Sequence, residues 1–200
     1  MTKHYFRLIG LTGQACSGKS SISEILRKKG FLIFNLDNIG HQALRNERIR
    51  NVLTAEFGTE ILSAGEIDRK KLGRIVFSSS KRLSLLNQIT WPWMITRITE
   101  LLKLIQGELT TAFLEAAILY QGGFDKICAQ TVFVRADQKL LEARLIERNG
   151  RDFAENVLKQ QEMMREYEKR ADYYIDNNGT LAELEKATEE MLRWLKAGDW

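Results

Sequence analysis

A segment near the start of the chain has residue types and spacing suited to binding the phosphates of a nucleotide. Residues 13–20 have the pattern G-x-x-x-x-G-K-[ST], between a strand-like run and an amphipathic helical segment. The two glycines allow successive backbone N–H groups to point at a phosphate, and Lys19 adds a positive charge. The Ser20 hydroxyl is suited to bind the Mg²⁺ that bridges the phosphates. The pattern therefore predicts a nucleotide-binding loop formed by Gly13, Gln14, Ala15, Cys16, Ser17, Gly18, Lys19, Ser20 and Ser21, and it leaves open which phosphoryl-transfer reaction follows.

Two carboxylates follow predicted strands and are candidates for the chemistry of phosphoryl transfer. Asp37 follows the second apolar run, 31–36, where it could accept a proton from an attacking hydroxyl. Its place before a predicted helix suits an N-cap equally well, so the spacing leaves both roles open. Glu115 ends the third strand-like run, 110–114, and spacing alone favours an ordinary surface glutamate there.

Apolar runs and amphipathic segments alternate along the chain, which predicts an α/β fold with a parallel sheet flanked by helices. The second strand is expected to lie beside the first. Strands are predicted over about 5–11, 31–36, 110–114, 131–135 and 173–176.

Helical patterns fill the rest of the chain. The segment from about 41 to 106 is helical throughout, and Pro92 is predicted to begin a helix because the first turn needs no N–H donor from it. Later stretches are expected over about 138–170 and 180–196.

Composition excludes several classes of partner. The net charge of +4 is small and spread along the 200 residues, so no nucleic-acid partner is expected. The longest apolar runs are too short to span a membrane, so no membrane association is expected either. With only Cys16 and Cys128, and no targeting segment in view, the sequence predicts a cytoplasmic protein, a monomer or weak oligomer.

Further segments resemble the bacterial dephospho-CoA kinase family over nearly the whole chain. The family's opening I-G-L-T-G-x-x-x-S-G-K-S/T is matched at 9–20, and its D-A-D-x-I-A at 35–40. The most specific match is G-x-L/I-D-R-x-x-L-x-x-I-V-F, found at 65–77. The acidic-x-P-L-L element resembles 115–119, where Ala116 and Ala117 replace its proline-containing turn, and A-D-x-x-I-x-N-x-G is matched at 171–179.

The resemblance implies a P-loop kinase-like α/β fold with a helical substrate-binding insertion and a helical lid. On this reading residues 1–200 form a single domain, with its core at about 1–40 and 107–200, the insertion at about 41–106 and the lid at about 138–162. The implied activity is ATP- and Mg²⁺-dependent phosphorylation of the ribose 3′-hydroxyl of dephospho-CoA. ATP and dephospho-CoA are then the expected partners.

The same resemblance implies roles for individual residues. Asp37 is the general base, and Lys19 and Arg144 are further catalytic residues. Arg144 and Arg148 match the family's R-x-x-x-R and could hold phosphates, although this densely charged segment is also typical of a solvated helix face. Asn177 is predicted to contribute to ATP binding. The block around Asp68 and Arg69 belongs to the helical part that binds the acceptor.

Three further departures from the family pattern keep alternatives open. Asn35 replaces the first acid of the family's pair, Trp91 stands where the family has His before proline, and Val157 replaces a lid arginine. The cluster at 91–93 is interpreted as core in preference to a stacking platform. Another small-molecule or nucleotide kinase, or a nucleotide-binding regulator without turnover, remains an alternative. The absence of an Asn-Lys-x-Asp motif argues against a GTPase.

Overall fold

A five-stranded sheet carries the predicted nucleotide-binding loop at the end of its central strand. The computed structural model describes residues 6–105, 111–151 and 164–198. Its strands, in chain order, are β1 (Arg7–Gly13), β2 (Leu32–Asn35), β3 (Leu62–Ser63), β4 (Glu66–Ile67), β5 (Thr111–Glu115), β6 (Gln130–Arg135) and β7 (Tyr173–Asp176). The large sheet has the order β2-β5-β1-β6-β7, and β3 pairs antiparallel with β4 in a separate hairpin.

The centre of the sheet explains why the first apolar run is so strongly hydrophobic. β1 pairs in parallel with β5 on one side and with β6 on the other, and its Ile9 and Leu11 are fully buried. A strand covered on both faces and both edges needs apolar side chains at successive positions. The predicted parallel α/β sheet is confirmed. The predicted neighbourhood of β1 and β2 is wrong, because β5 occupies the position between them.

Helices connect and cover these strands. They are α1 (Lys19–Lys28), α2 (Leu36–Arg45), α3 (Glu47–Phe57), α4 (Arg69–Val76), α5 (Ser80–Ile105), α6 (Gln138–Asn149), α7 (Met164–Glu168) and α8 (Leu181–Ala197), with short 3₁₀ turns at Thr59–Ile61 and Phe124–Ile127.

The chain forms two compact units, one of Met1–Phe34 with Leu109–Trp200 and one of Asn35–Glu108. The first unit has a core in which β1, β5, β6 and β7 pack against α1 and α8. Its buried side chains are Ile9, Leu11, Ile22, Ile25, Leu26, Phe113, Val132, Val134, Ile175, Leu184, Met191 and Leu195. The amphipathic spacing of α1 and α8 places their apolar stripes on this sheet.

The second unit is helical and has its own core, formed where α3, α4 and α5 meet around the β3–β4 hairpin. The buried members are Ile49, Leu53, Phe57, Ile61, Leu72 and Val76. Trp93 packs against this cluster, which agrees with the core interpretation for that residue. Asn46 caps α3 and Asp68 caps α4 through side-chain acceptors, so both helix starts are set by local sequence.

Two predicted helix boundaries are wrong. Pro92 lies inside α5 and does not begin a helix. Its fixed φ is compatible with a helix, and burial of Met94 and Ile98 on the following turns holds the segment helical despite the lost N–H donor. The stretch predicted from 138 to 170 ends as α6 at Asn149, where Gly150 follows with φ 84°, a conformation that ends helices.

Within the described ranges, no helix is long and apolar enough to cross a membrane. Cys16 and Cys128 are free thiols. Burial raises the pKa of the Cys128 thiol to about 12, so this residue has little thiolate character.

Candidate active site

The loop between β1 and α1 has the tight backbone that its sequence predicts. Gly13 has φ 146° and packs so closely on Val134 that a Cβ atom would collide with the carbonyl oxygen of that residue. Gly18, with φ 106°, precedes α1, and a Cβ atom there would collide with Asn177. Both positions therefore require glycine, and the loop ends at the N-terminus of a helix, where backbone N–H groups favour an anion.

Lys19 turns back over this loop. Its ammonium group donates to the carbonyl oxygens of Gly13 at 2.9 Å and Gln14 at 2.8 Å. The positive charge is thereby held at the mouth of the loop, where a phosphate would meet both the ammonium group and the helix N-terminus.

Glu115 is the candidate residue for which the sequence spacing gave the weakest indication of a functional role. The favoured surface interpretation is wrong, because the side chain is 7% exposed and its Oε1 accepts a hydrogen bond from the Ser20 hydroxyl at 2.7 Å. Parallel pairing of β5 with β1 brings the carboxyl end of β5 beside the loop. In the sequence, the only indication of this position was an acidic residue directly after the apolar run 112–114.

Asn177 and Arg144 brace the loop from the side of β7 and α6. The Asn177 amide donates to the Ser17 carbonyl oxygen at 2.8 Å, and its side chain is buried. Arg144 donates to the carbonyl oxygens of Asn177 at 3.2 Å and Cys16 at 3.4 Å. The structure thus brings both predicted residues to the loop, and in the described residues the partners of Arg144 are neutral carbonyls.

Arg135 lies at the same edge of the sheet and shows a different arrangement. Its guanidinium is bound by Asp176 and by Glu168, the latter at 2.7 Å. These hydrogen bonds raise the pKa of Arg135 above its ordinary value. The charge of Arg135 is already matched by two carboxylates. Arg144 is therefore the better candidate for binding a phosphate at this edge of the sheet.

We expect the Asn177→Ala variant to bind ATP about 5- to 10-fold more weakly, the scale of one lost hydrogen bond that holds a phosphate-binding backbone. Titration calorimetry with a non-hydrolysable ATP analogue measures this change. Asn178→Ala is the matched control, because Asn178 also holds a backbone group, the N–H of Asp137 at 2.7 Å, away from the loop. Equal affinities of the two variants would contradict a special role for Asn177.

Within the part of the chain that the structure describes, the remaining predicted residues make no contact that identifies a role in nucleotide binding. Ser21 is exposed on α1, and Arg148 is exposed near the end of α6, one turn after Arg144. Val157 and the end of the predicted lid, residues 152–162, lie outside the described residues. Among the described residues, no group of three or more His, Cys, Asp or Glu side chains could hold a metal ion.

Asp37 lies in the helical unit, in the first turn of α2, with an exposed side chain. The N-cap of that helix is Asn35, whose side chain accepts from the N–H of Asn38 at 3.0 Å. The capping interpretation of Asp37 is therefore wrong. Asn35, which replaces an acid of the family pattern, performs the capping, so the carboxylate of Asp37 is left for another role.

The family model of dephospho-CoA kinase matches residues 7–183 of this sequence. The chain belongs to the dephospho-CoA kinase family. It is 36% identical to the dephospho-CoA kinase of Fusobacterium nucleatum over 185 residues, covering 91% of this chain and 95% of that protein. The predicted family is confirmed, and so is the predicted activity, ATP-dependent phosphorylation of dephospho-CoA by a transferase.

Solved structures have the same fold as this family member. The crystal structure of TT1252 from Thermus thermophilus has a TM-score of 0.80 at 30% identity, covering 96% of this chain and 98% of that one. A shikimate kinase from Bacteroides thetaiotaomicron has a TM-score of 0.57 at 15% identity, covering 95% and 98% of the two chains. The second likeness concerns the fold alone.

Proposed function

We propose that this member of the dephospho-CoA kinase family transfers the γ-phosphate of ATP to the ribose 3′-hydroxyl of dephospho-CoA, giving coenzyme A and ADP. The family match over residues 7–183 carries this proposal, because it includes the acceptor-type block at 65–77 as well as the phosphate-binding loop. A loop alone supports many phosphoryl-transfer reactions, whereas that block distinguishes the acceptor.

The residues of the first unit provide ATP binding. The loop backbone and Lys19 bind the β- and γ-phosphates. The guanidinium of Arg144 stabilises the negative charge that develops on the transferred phosphoryl group. In the structure Lys19 and Arg144 both donate hydrogen bonds to carbonyl oxygens of the loop, so each side chain already lies beside the loop. The predicted lid at about 138–162 excludes water from the γ-phosphate in this proposal.

Asp37 accepts the proton of the attacking hydroxyl. As the new bond between the ribose oxygen and the γ-phosphorus forms, the bond from the γ-phosphorus to the bridging oxygen breaks and ADP leaves. An exposed carboxylate that is not used as a helix cap suits this role.

Ser20 and Glu115 are an oxygen donor set suited to Mg²⁺. Their hydrogen bond of 2.7 Å and the burial of Glu115 keep the carboxylate beside the serine hydroxyl. In this proposal Ser20 would hold the ion through its hydroxyl, and Glu115 would orient that serine. The ion, when bound, neutralises phosphate charge during transfer.

Glu115→Gln is expected to raise the Mg²⁺ concentration required for half-maximal activity about 10-fold or more, since outer residues of a metal site affect affinity on this scale. Initial rates measured against Mg²⁺ at saturating ATP test this expectation. Glu142→Gln removes an exposed carboxylate from α6 and is the control. An unchanged Mg²⁺ requirement in Glu115→Gln would remove this residue from the metal site.

Coupled measurement of ADP release tests the reaction itself. The purified protein is supplied with ATP and Mg²⁺ and with dephospho-CoA, AMP, other nucleoside monophosphates or no acceptor. ADP release that depends on dephospho-CoA supports the proposal. Release with a nucleoside monophosphate instead would indicate another kinase, and tight ATP binding without turnover would indicate a regulator. Cytoplasmic location, and a monomeric or weakly oligomeric state without nucleic-acid or membrane partners, stay predictions of the sequence.

A further inference from the structure

The end of β7 lies directly against the nucleotide-binding loop, although β7 itself is a short edge strand. β7 pairs only with β6 in the described sheet, and Ile175 is the one buried residue among its four described residues. The next residue, Asn177, donates to the Ser17 carbonyl oxygen at 2.8 Å, and a Cβ atom on Gly18 would lie 2.1 Å from its Nδ2. With so little space, a small displacement at the end of β7 would change the backbone of the loop.

Arg135, the last residue of β6, holds the end of β7 through both its backbone and its side chain. Its carbonyl oxygen accepts from the N–H of Asn177 at 2.9 Å. Its guanidinium binds the preceding residue, Asp176, with two hydrogen bonds: Nε donates to Oδ1, and Nη2 donates to Oδ2 at 3.1 Å. A paired contact of this kind fixes the orientation of both side chains, which a single ion pair does not.

The same guanidinium also connects β6 and β7 to α7. Its Nη1 donates to Oε1 of Glu168 at 2.7 Å, and its central carbon lies 5.0 Å from the centroid of the Tyr174 ring. The Tyr174 hydroxyl in turn donates to the backbone carbonyl oxygen of Glu168 at 3.0 Å. Because these partners come from two neighbouring elements, the arrangement suits the fixing of protein segments better than the binding of an anionic ligand.

Asn177 follows Asp176 directly, so the position of its amide depends on how the carboxylate of Asp176 is held. We propose that Arg135 is a positioning residue for ATP binding: by holding Asp176, it keeps Asn177 against Ser17 and the loop backbone in its phosphate-binding conformation. This inference rests on the proposed function, in which the loop binds the phosphates of ATP. It assigns a role in ATP affinity to a side chain that does not itself contact the nucleotide.

Two variants at residue 135 test this role. Arg135→Gln is expected to weaken binding of a non-hydrolysable ATP analogue about 5- to 10-fold in calorimetry, the scale expected for Asn177→Ala. KM for ATP should rise while kcat stays within about threefold, because the lost contact concerns binding. Arg135→Lys keeps the charge but cannot form the paired contact, so its affinity should fall at least about threefold. Wild-type affinity in the lysine variant would overturn the positioning role.

Arg170→Gln is the matched control. Arg170 also binds a carboxylate, that of Asp125 at 2.7 Å, and its central carbon also lies over a tyrosine ring, 4.4 Å from the centroid of Tyr120. It precedes β7, whereas Arg135 and the nucleotide-binding loop lie at the other end of these parallel strands. Thermal unfolding should respond similarly in Arg170→Gln and Arg135→Gln, but ATP affinity should stay within about twofold in Arg170→Gln. Equal ATP affinities in the two variants would contradict the inference.

A double-mutant cycle with Asn177→Ala tests whether Arg135 acts through Asn177. In a chain that already carries Asn177→Ala, Arg135→Gln should weaken ATP binding by less than about twofold, whereas independent effects would multiply to about 25- to 100-fold. Multiplied effects would refute the inference and leave the proposed function standing, because calorimetry with the ATP analogue requires no acceptor. A wild type that binds the analogue without phosphorylating dephospho-CoA would refute the proposed function, while the cycle still decides the role of Arg135.

Discussion

The Asp37→Asn variant is expected to lose about 100-fold or more in kcat, the usual scale of a lost general base. The substitution keeps the size of the side chain and removes its ability to take a proton near neutral pH. Affinity for ATP should change by less than about twofold, because the proposed ATP contacts lie on the loop and α6. Steady-state kinetics with dephospho-CoA, together with calorimetry of an ATP analogue, measure both quantities.

Glu47→Gln is the matched control for this experiment. Glu47 is an exposed carboxylate in the first turn of α3, as Asp37 is in the first turn of α2. Each carboxylate stabilises its helix N-terminus by about 0.3–1 kcal/mol, so thermal unfolding should respond similarly in the two variants. A kcat for Asp37→Asn within a few-fold of that of Glu47→Gln would exclude Asp37 as the base.

Lys19→Met is expected to lower kcat roughly 10²- to 10³-fold, since it removes a preorganised donor aimed at charge that develops during phosphoryl transfer. Affinity for ATP should fall as well, because the ammonium group is bound to the loop by two carbonyl contacts and lies beside the phosphate site. Rapid-quench measurement of a single turnover separates the chemical step from ATP binding.

The control for this variant is Lys28→Met, which removes an exposed charge from the last turn of the same helix. Thermal unfolding of both variants establishes that the fold is kept. A single-turnover rate for Lys19→Met equal to that of Lys28→Met would contradict the role of Lys19 in the chemical step.

The sequence predicts those parts of the site that local backbone chemistry determines. Gly13, Gly18 and Lys19 are placed as the loop pattern requires, because a tight turn before a helix depends on a few adjacent residues. The five strands of the large sheet were predicted for a similar reason, since each is a short apolar run bounded by polar residues. The family resemblance added Arg144 and Asn177, which loop spacing alone would not have connected.

Features that depend on distant pairing were predicted poorly. Nothing in the run 110–114 indicates that β5 lies between β1 and β2, and the role of Glu115 follows from that position. The contact between Arg135 and Asp176 likewise joins residues of different strands, through pairing that no short pattern encodes. At Pro92 the local pattern was misleading. Proline disfavours the interior of a helix, yet burial of the neighbouring side chains keeps the segment around Pro92 helical.

The central place of β1 has a consequence for the order of events during synthesis. β1 leaves the ribosome well before its partners β5 and β6, which follow the whole helical unit in the chain. At about 5–20 residues per second, roughly 100 intervening residues take about 5 to 20 s to translate. During that interval the central strand of the sheet has neither of its hydrogen-bonded neighbours, β5 and β6. The helical unit, whose contacts are local, is complete in the nascent chain before the nucleotide-binding loop has a sheet to support it.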